Sequence, residues 1–174
     1  MEITRLVKRA KRKDADAFTE LMESQMQNMY KVARSILSRD EDVADAISDT
    51  ILVCWEKIDT LKKNRFFRTW MTRILINKCN DILRAGQRTV FTDEPLEIEY
   101  MENEFLNLEW KEMLQSLDEK YRIVLLLYYG EGFSIKEIAQ ILELTESAIK
   151  SRLSRGRKQV KQEYNAGGIC HEKS

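Results

Sequence analysis

The residues best suited to chemistry in this sequence are cations and hydroxyls near its C-terminal end. Lys150, Ser151, Ser154, Arg155 and Lys158 stand one, three or four residues apart. That spacing puts them on one face of a helix. Arg can pair with guanine edges, Ser can bond to a base edge or a phosphate, and Lys neutralises backbone charge, so the face suits the DNA major groove. A basic helix end that merely complements its own dipole has a similar composition. Here the face follows a capped short helix and a tight turn, an order that favours DNA reading.

A second group mixes cations with rings. Lys62, Lys63, Arg65, Arg68 and Arg73 are interleaved with Phe66, Phe67 and Trp70, and Asn77 lies one helical turn beyond Arg73. Rings beside cations suit single-stranded DNA, since bases stack while the backbone follows the charge. An Asn offers both a donor and an acceptor to an extruded base. The competing reading places Phe67, Trp70 and Ile74 on one face as core. A third group is acidic: Asp42, Asp45 and Asp49 alternate with apolar positions, Ser48 sits among them, and Trp55 follows. Asp45 and Asp49 share a helix face. Such a face can dock a basic protein surface or simply be solvated.

Catalysis finds little support. The sole histidine, His171, lies in the tail, leaving no His-based acid–base or triad chemistry in the folded part. No phosphate-binding Gly loop occurs. The reading is therefore of a protein that is not an enzyme, with no cofactor, no metal site and no small-molecule substrate. Cys54, Cys79 and Cys170 form no CxxC pair, and their odd number fits a reducing compartment. Cys54 and Cys79 fall within helical patterns as small buried hydrophobes.

The elements that must position these residues are helical. Residues 14–37 repeat Phe18, Leu21, Met22, Met29, Val32, Ala33 and Ile36 at three- and four-residue spacings. After a break at Ser38-Arg39-Asp40, residues 42–58 carry Val43, Ala46, Ile47, Thr50, Ile51, Cys54 and Ile58 on one face. A basic loop, 60–65, offers Asn64 as a cap for a third helix over 66–84. Three helices with short connections predict a compact domain. Gly86 marks its end. The stretch 89–104 contains Pro95 and many acids without a strong period, and reads as a linker. Pattern resumes over 105–117 and 119–129. Ser116-Leu117-Asp118-Glu119 and Ser134-Ile135-Lys136-Glu137 both match a capping box, the latter directly after Gly130-Glu131-Gly132. Ser134 caps a helix carrying Ile135, Ile138, Ala139, Ile141 and Leu142. Thr145 caps a last helix carrying Ala148, Ile149, Leu153 and Val160. Short helix, tight turn and longer basic helix predict a helix-turn-helix.

Composition agrees with this class. The chain has 174 residues, one proline and six glycines, too few turn residues for a β fold. Its longest clear apolar run, 124–129, is far too short for a membrane span. The first residues are basic (Arg5, Lys8, Arg9, Lys11, Arg12, Lys13) with no apolar stretch after them, which predicts no secretion signal and a cytoplasmic protein. The net charge of zero conceals separate patches: a basic N-terminal arm, an acidic 93–104 and a basic 150–161. The expected organisation is all-α: a first helical domain over 1–88, a linker over 89–104, a second domain over 105–165 and a tail over 166–174.

In this order the three groups resemble the extracytoplasmic-function (group 4) sigma factors of the sigma-70 family, over nearly the whole chain. Asp45-x-x-Ser48-Asp49-x-Ile51-x-x-x-Trp55 is similar to the family's region 2.2, usually D-x-x-Q-[DE]-x-F-x-x-x-W. Phe67-x-x-Trp70-Met71-x-x-Ile74-x-x-Asn77-x-x-x-Asp81-x-x-Arg84 resembles regions 2.3 and 2.4. Ser134-x-x-Glu137-Ile138-Ala139 and Ile149-Lys150-Ser151-Arg152-Leu153-x-Arg155-x-Arg157-Lys158 resemble region 4.

The resemblance implies roles. Asp45, Ser48 and Asp49 would face the β′ clamp helices of core RNA polymerase, with Trp55 supporting their helix; the β subunit would be a further contact. Asn77 would border the pocket for a flipped base of the promoter −10 element, beside the loop holding Lys62, Lys63 and Arg65. Arg84 and Arg88 would lie near the adjoining backbone. Ser151, Ser154 and Arg155 would enter the major groove at the −35 element, with Lys150, Arg152 and Lys158 on phosphates. The acidic linker would thread toward the RNA exit region. An anti-sigma factor, often membrane-bound in this family, would hold the protein inactive at the inner face of the membrane. Three positions depart from the pattern. Ser48 replaces Gln, Ser154 replaces a larger ring, and Glu143 replaces a turn Gly where φ > 0 would be strained, which predicts a locally different turn. Two other readings stay open on the residues alone: a helix-turn-helix regulator of duplex DNA that is not a polymerase subunit, and a helical adaptor that binds only proteins.

Overall fold

The computed structural model describes residues 2–86 and 114–168. Arg88, the 89–104 linker, the start of the 105–117 pattern and the Cys170–His171 pair lie outside the described residues. Every regular element among the described residues is helical. In chain order they are α1 (Glu2–Ala10), α2 (Ala15–Ile36), α3 (Asp40–Lys57), α4 (Phe67–Gly86), α5 (Glu119–Leu125), α6 (Ile135–Leu142) and α7 (Glu146–Gly168). They group into two compact units, the first built on α1 to α4 and the second mainly on the helices beyond residue 114.

The first unit has four helices, where the apolar pattern predicts three. α1 forms from the basic N-terminal arm because Leu6, Val7 and Ala10 bury while Arg5, Lys8 and Arg9 stay in solvent. Its apolar stripe is only three residues wide among many cations, so the charge dominates the sequence signal. α1 ends in a turn with Lys13 at φ +64°, and Asp14 then caps α2 by accepting the Ala17 N–H at 3.0 Å. That bond, with the Arg9 guanidinium 2.8 Å from the carboxylate, holds the Asp14 carboxyl below its ordinary value.

α2 runs as its periodicity predicts, with Leu37 rather than Ile36 completing its buried face. Arg34, nearly buried, donates to the Ser38 carbonyl at 3.0 Å and pairs with Asp40 at 2.8 Å, tying the end of α2 to the first turn of α3. Asp40 there also suits the positive end of the α3 dipole. α3 packs on both α2 and α4, burying Val43, Ala46, Thr50 and Cys54. Trp55 meets Phe18 of α2 edge to face, with centroids 4.9 Å apart, and Lys13 lies 5.3 Å over its ring. Trp55 thus fastens α3 to the α1–α2 turn. A 3₁₀ turn, Asn64–Phe66, leads directly into α4. Asn64 contributes its backbone carbonyl to the Phe67 N–H rather than the predicted side-chain cap.

In the second unit, α5 continues as a π turn over Leu126–Gly130 and packs along α7. The predicted capping box at Ser116 is not made: Asp118 is the cap position without a side-chain bond, and the Ser116 hydroxyl donates to the Glu163 carboxylate instead. The box at Ser134 is complete. The Glu137 N–H donates to Ser134 Oγ at 3.2 Å, and the Ser134 N–H donates to Glu137 Oε2 at 2.8 Å. α7 reaches Gly168, beyond the 165 limit expected from sequence. No described helix is long and apolar enough to cross a membrane.

Candidate nucleic-acid interface

The second unit presents a helix-turn-helix. α6 ends at Glu143, whose φ of 57° and ψ of 42° are left-handed. Its N–H and that of Leu144 both return to the Ala139 carbonyl, satisfying a helix end that water would otherwise have to serve. The turn therefore keeps the conformation normally given to Gly, correcting the expectation of a locally different path. The backbone bonds and the buried Ile138 and Ile141 hold Glu143 there. Thr145 then caps α7, accepting the Ala148 N–H at 3.1 Å.

α7 buries Ile149 and Leu153 and also Gly156, where a Cβ would stand 3.1 Å from Leu125 Cδ1 and 3.4 Å from Tyr121 Cβ. That close approach sets how α7 is rotated against α5. Lys150, Ser151, Ser154, Arg155 and Lys158 are consequently all exposed, and Arg152 is half-buried. Ser147, also exposed, extends the same face by one turn at the helix start. It was legible as the residue four before Ser151. Arg157 lies off this face, donating to the Tyr129 hydroxyl at 3.0 Å.

In the first unit, Lys62, Lys63 and Arg65 are exposed in the loop before α4. Arg65 stacks 4.7 Å from the Phe66 ring centre, and that ring is 38% exposed. The rings divide between core and surface. Phe67 is fully buried core, whereas Trp70 and Ile74 are half-buried at the edge of an accessible stripe. On that stripe, at helical spacing, stand Trp70, Arg73, Asn77 and Arg84. Asn77 and Arg84 are exposed, with Arg84 3.5 Å from Asp81. Ring, amide and cation are thus aligned along one helix, an arrangement able to stack a base, bond to its edge and follow its phosphate.

Asp45, Ser48 and Asp49 are exposed together along α3. Leu52, 59% exposed, continues the same stripe one turn beyond Ser48 and Asp49. Sequence reasoning passed over it because one Leu in an apolar-rich helix carries no sign of which way it points. An accessible Leu ringed by acids suits a partner that is basic at its edge and apolar at its centre. Cys54, on the opposite side, is buried, and burial pushes its thiol pKa up to about 12. It stays a protonated hydrophobe. Among the described residues no cluster of three His, Cys, Asp or Glu is placed to hold a metal ion.

Residues 21–89 match the family Sigma-70 region 2, and residues 107–160 match the family Sigma-70, region 4. The chain belongs to the sigma-70 family, in its extracytoplasmic-function group. It is 26% identical over 181 residues to the ECF RNA polymerase sigma factor SigW of Bacillus subtilis (strain 168), covering 94% of this chain and 97% of that one. It is 28% identical over 176 residues to the ECF RNA polymerase sigma-E factor of Escherichia coli (strain K12), covering 89% and 90%. The fold is shared with CnrH, solved in complex with the cytosolic domain of CnrY, at a TM-score of 0.70 and 24% identity over 95% of this chain and 99% of that one. It is shared also with the sigma factor RpoE of Bartonella quintana, solved with the anti-sigma factor NepR, at 0.71 and 24% over 83% and 94%.

Proposed function

We propose that this sigma factor binds core RNA polymerase through the α3 stripe of Asp45, Ser48, Leu52 and Asp49, with Trp55 holding that helix in place. The α7 face then reads the −35 element: Ser151, Ser154 and Arg155 meet base edges while Lys150, Arg152 and Lys158 meet phosphates. The opened −10 strand is captured around Asn77, between the loop of Lys62, Lys63 and Arg65 and the cation Arg84. Region 2 functions fall to residues 1–88 and region 4 functions to 105–165, joined by the acidic linker. The protein performs no catalysis of its own and works in the cytoplasm.

One observation carries the reading: half-buried Trp70 and exposed Asn77 stand in line on α4, with exposed Phe66 in the turn just before it. A regulator of closed duplex DNA has no use for a surface that stacks and bonds single bases, and a protein-only adaptor has no use for the α7 face. Control by an anti-sigma factor is part of the same proposal, supported by the RpoE–NepR complex of a protein with this fold.

Run-off transcription with purified core polymerase on a promoter library tests it. Discrete start sites that depend on this protein, and that weaken with Asn77→Ala and with Arg155→Ala, are expected. No stimulation by a folded chain with an active core enzyme overturns it and favours the duplex-binding regulator.

A further inference from the structure

α1 carries a surface that none of the three interfaces includes. Its inner side is Leu6, Val7 and Ala10. Its outer side presents Arg5, Lys8 and Arg9, and Arg12 extends the row into the following turn; all four are exposed. Arg9 is engaged by Asp14 at 2.8 Å. Arg5, Lys8 and Arg12 have no ion-pair partner among the described residues. Like charges at three- and four-residue spacing weaken a helix, so the row works against the fold that displays it. An external anion is the natural counterpart.

The position of α1 indicates which anion. It packs on the 3₁₀ turn Asn64–Phe66, and the Lys11 amine donates to the Leu61 carbonyl at 2.5 Å. The basic row is therefore anchored beside the loop of Lys62, Lys63 and Arg65. A lipid surface is the poorer fit, because an interfacial helix must offer its apolar face and that of α1 is already buried. We propose that Arg5, Lys8 and Arg12 bind the phosphate backbone of the same promoter strand whose bases are captured around Asn77, extending the single-strand site onto the N-terminal helix. The inference rests on the sigma-factor reading above.

The test uses full-length protein with core polymerase and a fluorescent non-template strand from a promoter recovered in the run-off screen. In R5Q/K8Q/R12Q, core binding should be unchanged and strand affinity about tenfold weaker near ~0.1 M salt. The salt dependence on log–log axes should be shallower by about 2, since each lost phosphate contact on a single strand removes about 0.7. The loss should be equal on a strand with scrambled −10 bases, whereas N77A should lose affinity only on the cognate strand. Unchanged affinity and slope in the triple variant, with N77A impaired, would show a merely solvated face and overturn the inference alone. A loss confined to core binding would overturn it in favour of an acidic polymerase surface. Wild-type protein that captures no strand would bring down the sigma-factor reading and this inference with it.

Discussion

Glu143 shows how a single residue can be conformationally costly and still be kept. A non-Gly side chain in the left-handed region costs about 1 kcal/mol, and here the Ala139 carbonyl holds it in place from two N–H groups. Glu143→Gly should therefore stabilise the second unit by about 1 kcal/mol, read as slower hydrogen exchange of the α6 amides. Equal or faster exchange would mean that the carboxylate contributes more than the backbone strain costs. Cys54 makes a second case. With its thiol pKa raised to about 12 by burial, it is protonated throughout the neutral range and does not react as thiolate. Iodoacetamide at pH 8 should leave the Cys54 and Cys79 peptides unmodified in native protein and label both in denaturant, as peptide mass spectrometry would show.

At the scale of elements, the α7 face proposed to read DNA depends on a buried glycine. Gly156 lets α7 approach Leu125 and Tyr121 of α5, and Leu125 is itself fully buried. Gly156→Val should cost about 1–3 kcal/mol by overpacking. Gly156→Ala should be near neutral, because its gain in helix propensity of about 1 kcal/mol is offset by the displaced Leu125. Urea denaturation of both variants distinguishes this from a loosely packed interface, in which the valine would be tolerated. The α6 end is held differently, by the reciprocal Ser134–Glu137 cap that orders the helix start without any core residue.

At the scale of the molecule, zero net charge comes from patches of opposite sign on separate elements. The α3 stripe is acidic with one exposed Leu, whereas the 62–65 loop, α1 and α7 are basic. Substitutions should therefore dissociate cleanly. Asp49→Lys together with Leu52→Ala should weaken binding to core polymerase about tenfold or more and leave the DNA faces intact. Asn77→Ala should spare core binding and slow promoter opening. Arg155→Ala should lose about 1–3 kcal/mol of −35 discrimination. Core binding by fluorescence anisotropy and opening by permanganate reactivity of the melted strand separate the three. A uniform loss in all variants would argue against distinct surfaces.

The helices α2, α3, α4, α6 and α7 were legible in the sequence because each repeats apolar residues at helical spacing, and three of them, α2, α6 and α7, open on side-chain caps. The three candidate groups could be picked out because their charges and rings recur at helical spacing. α1 was not, since three apolar positions among many cations give a weak period that only packing on α2 makes helical. The capping box written at Ser116 was not made either: local spacing permits it, but Glu163, far along the chain, takes the hydroxyl. Leu52 and Trp70 likewise waited for the fold. Composition tells that a residue is apolar, whereas its exposure depends on which neighbours arrive from distant sequence. What the sequence determined by itself is therefore what is local, namely helix periods, caps and the residue types on each face. The tertiary structure alone decided which face is buried, whether Glu143 could be held left-handed, and where the basic row of α1 would lie, because those depend on contacts between segments that no local pattern encodes.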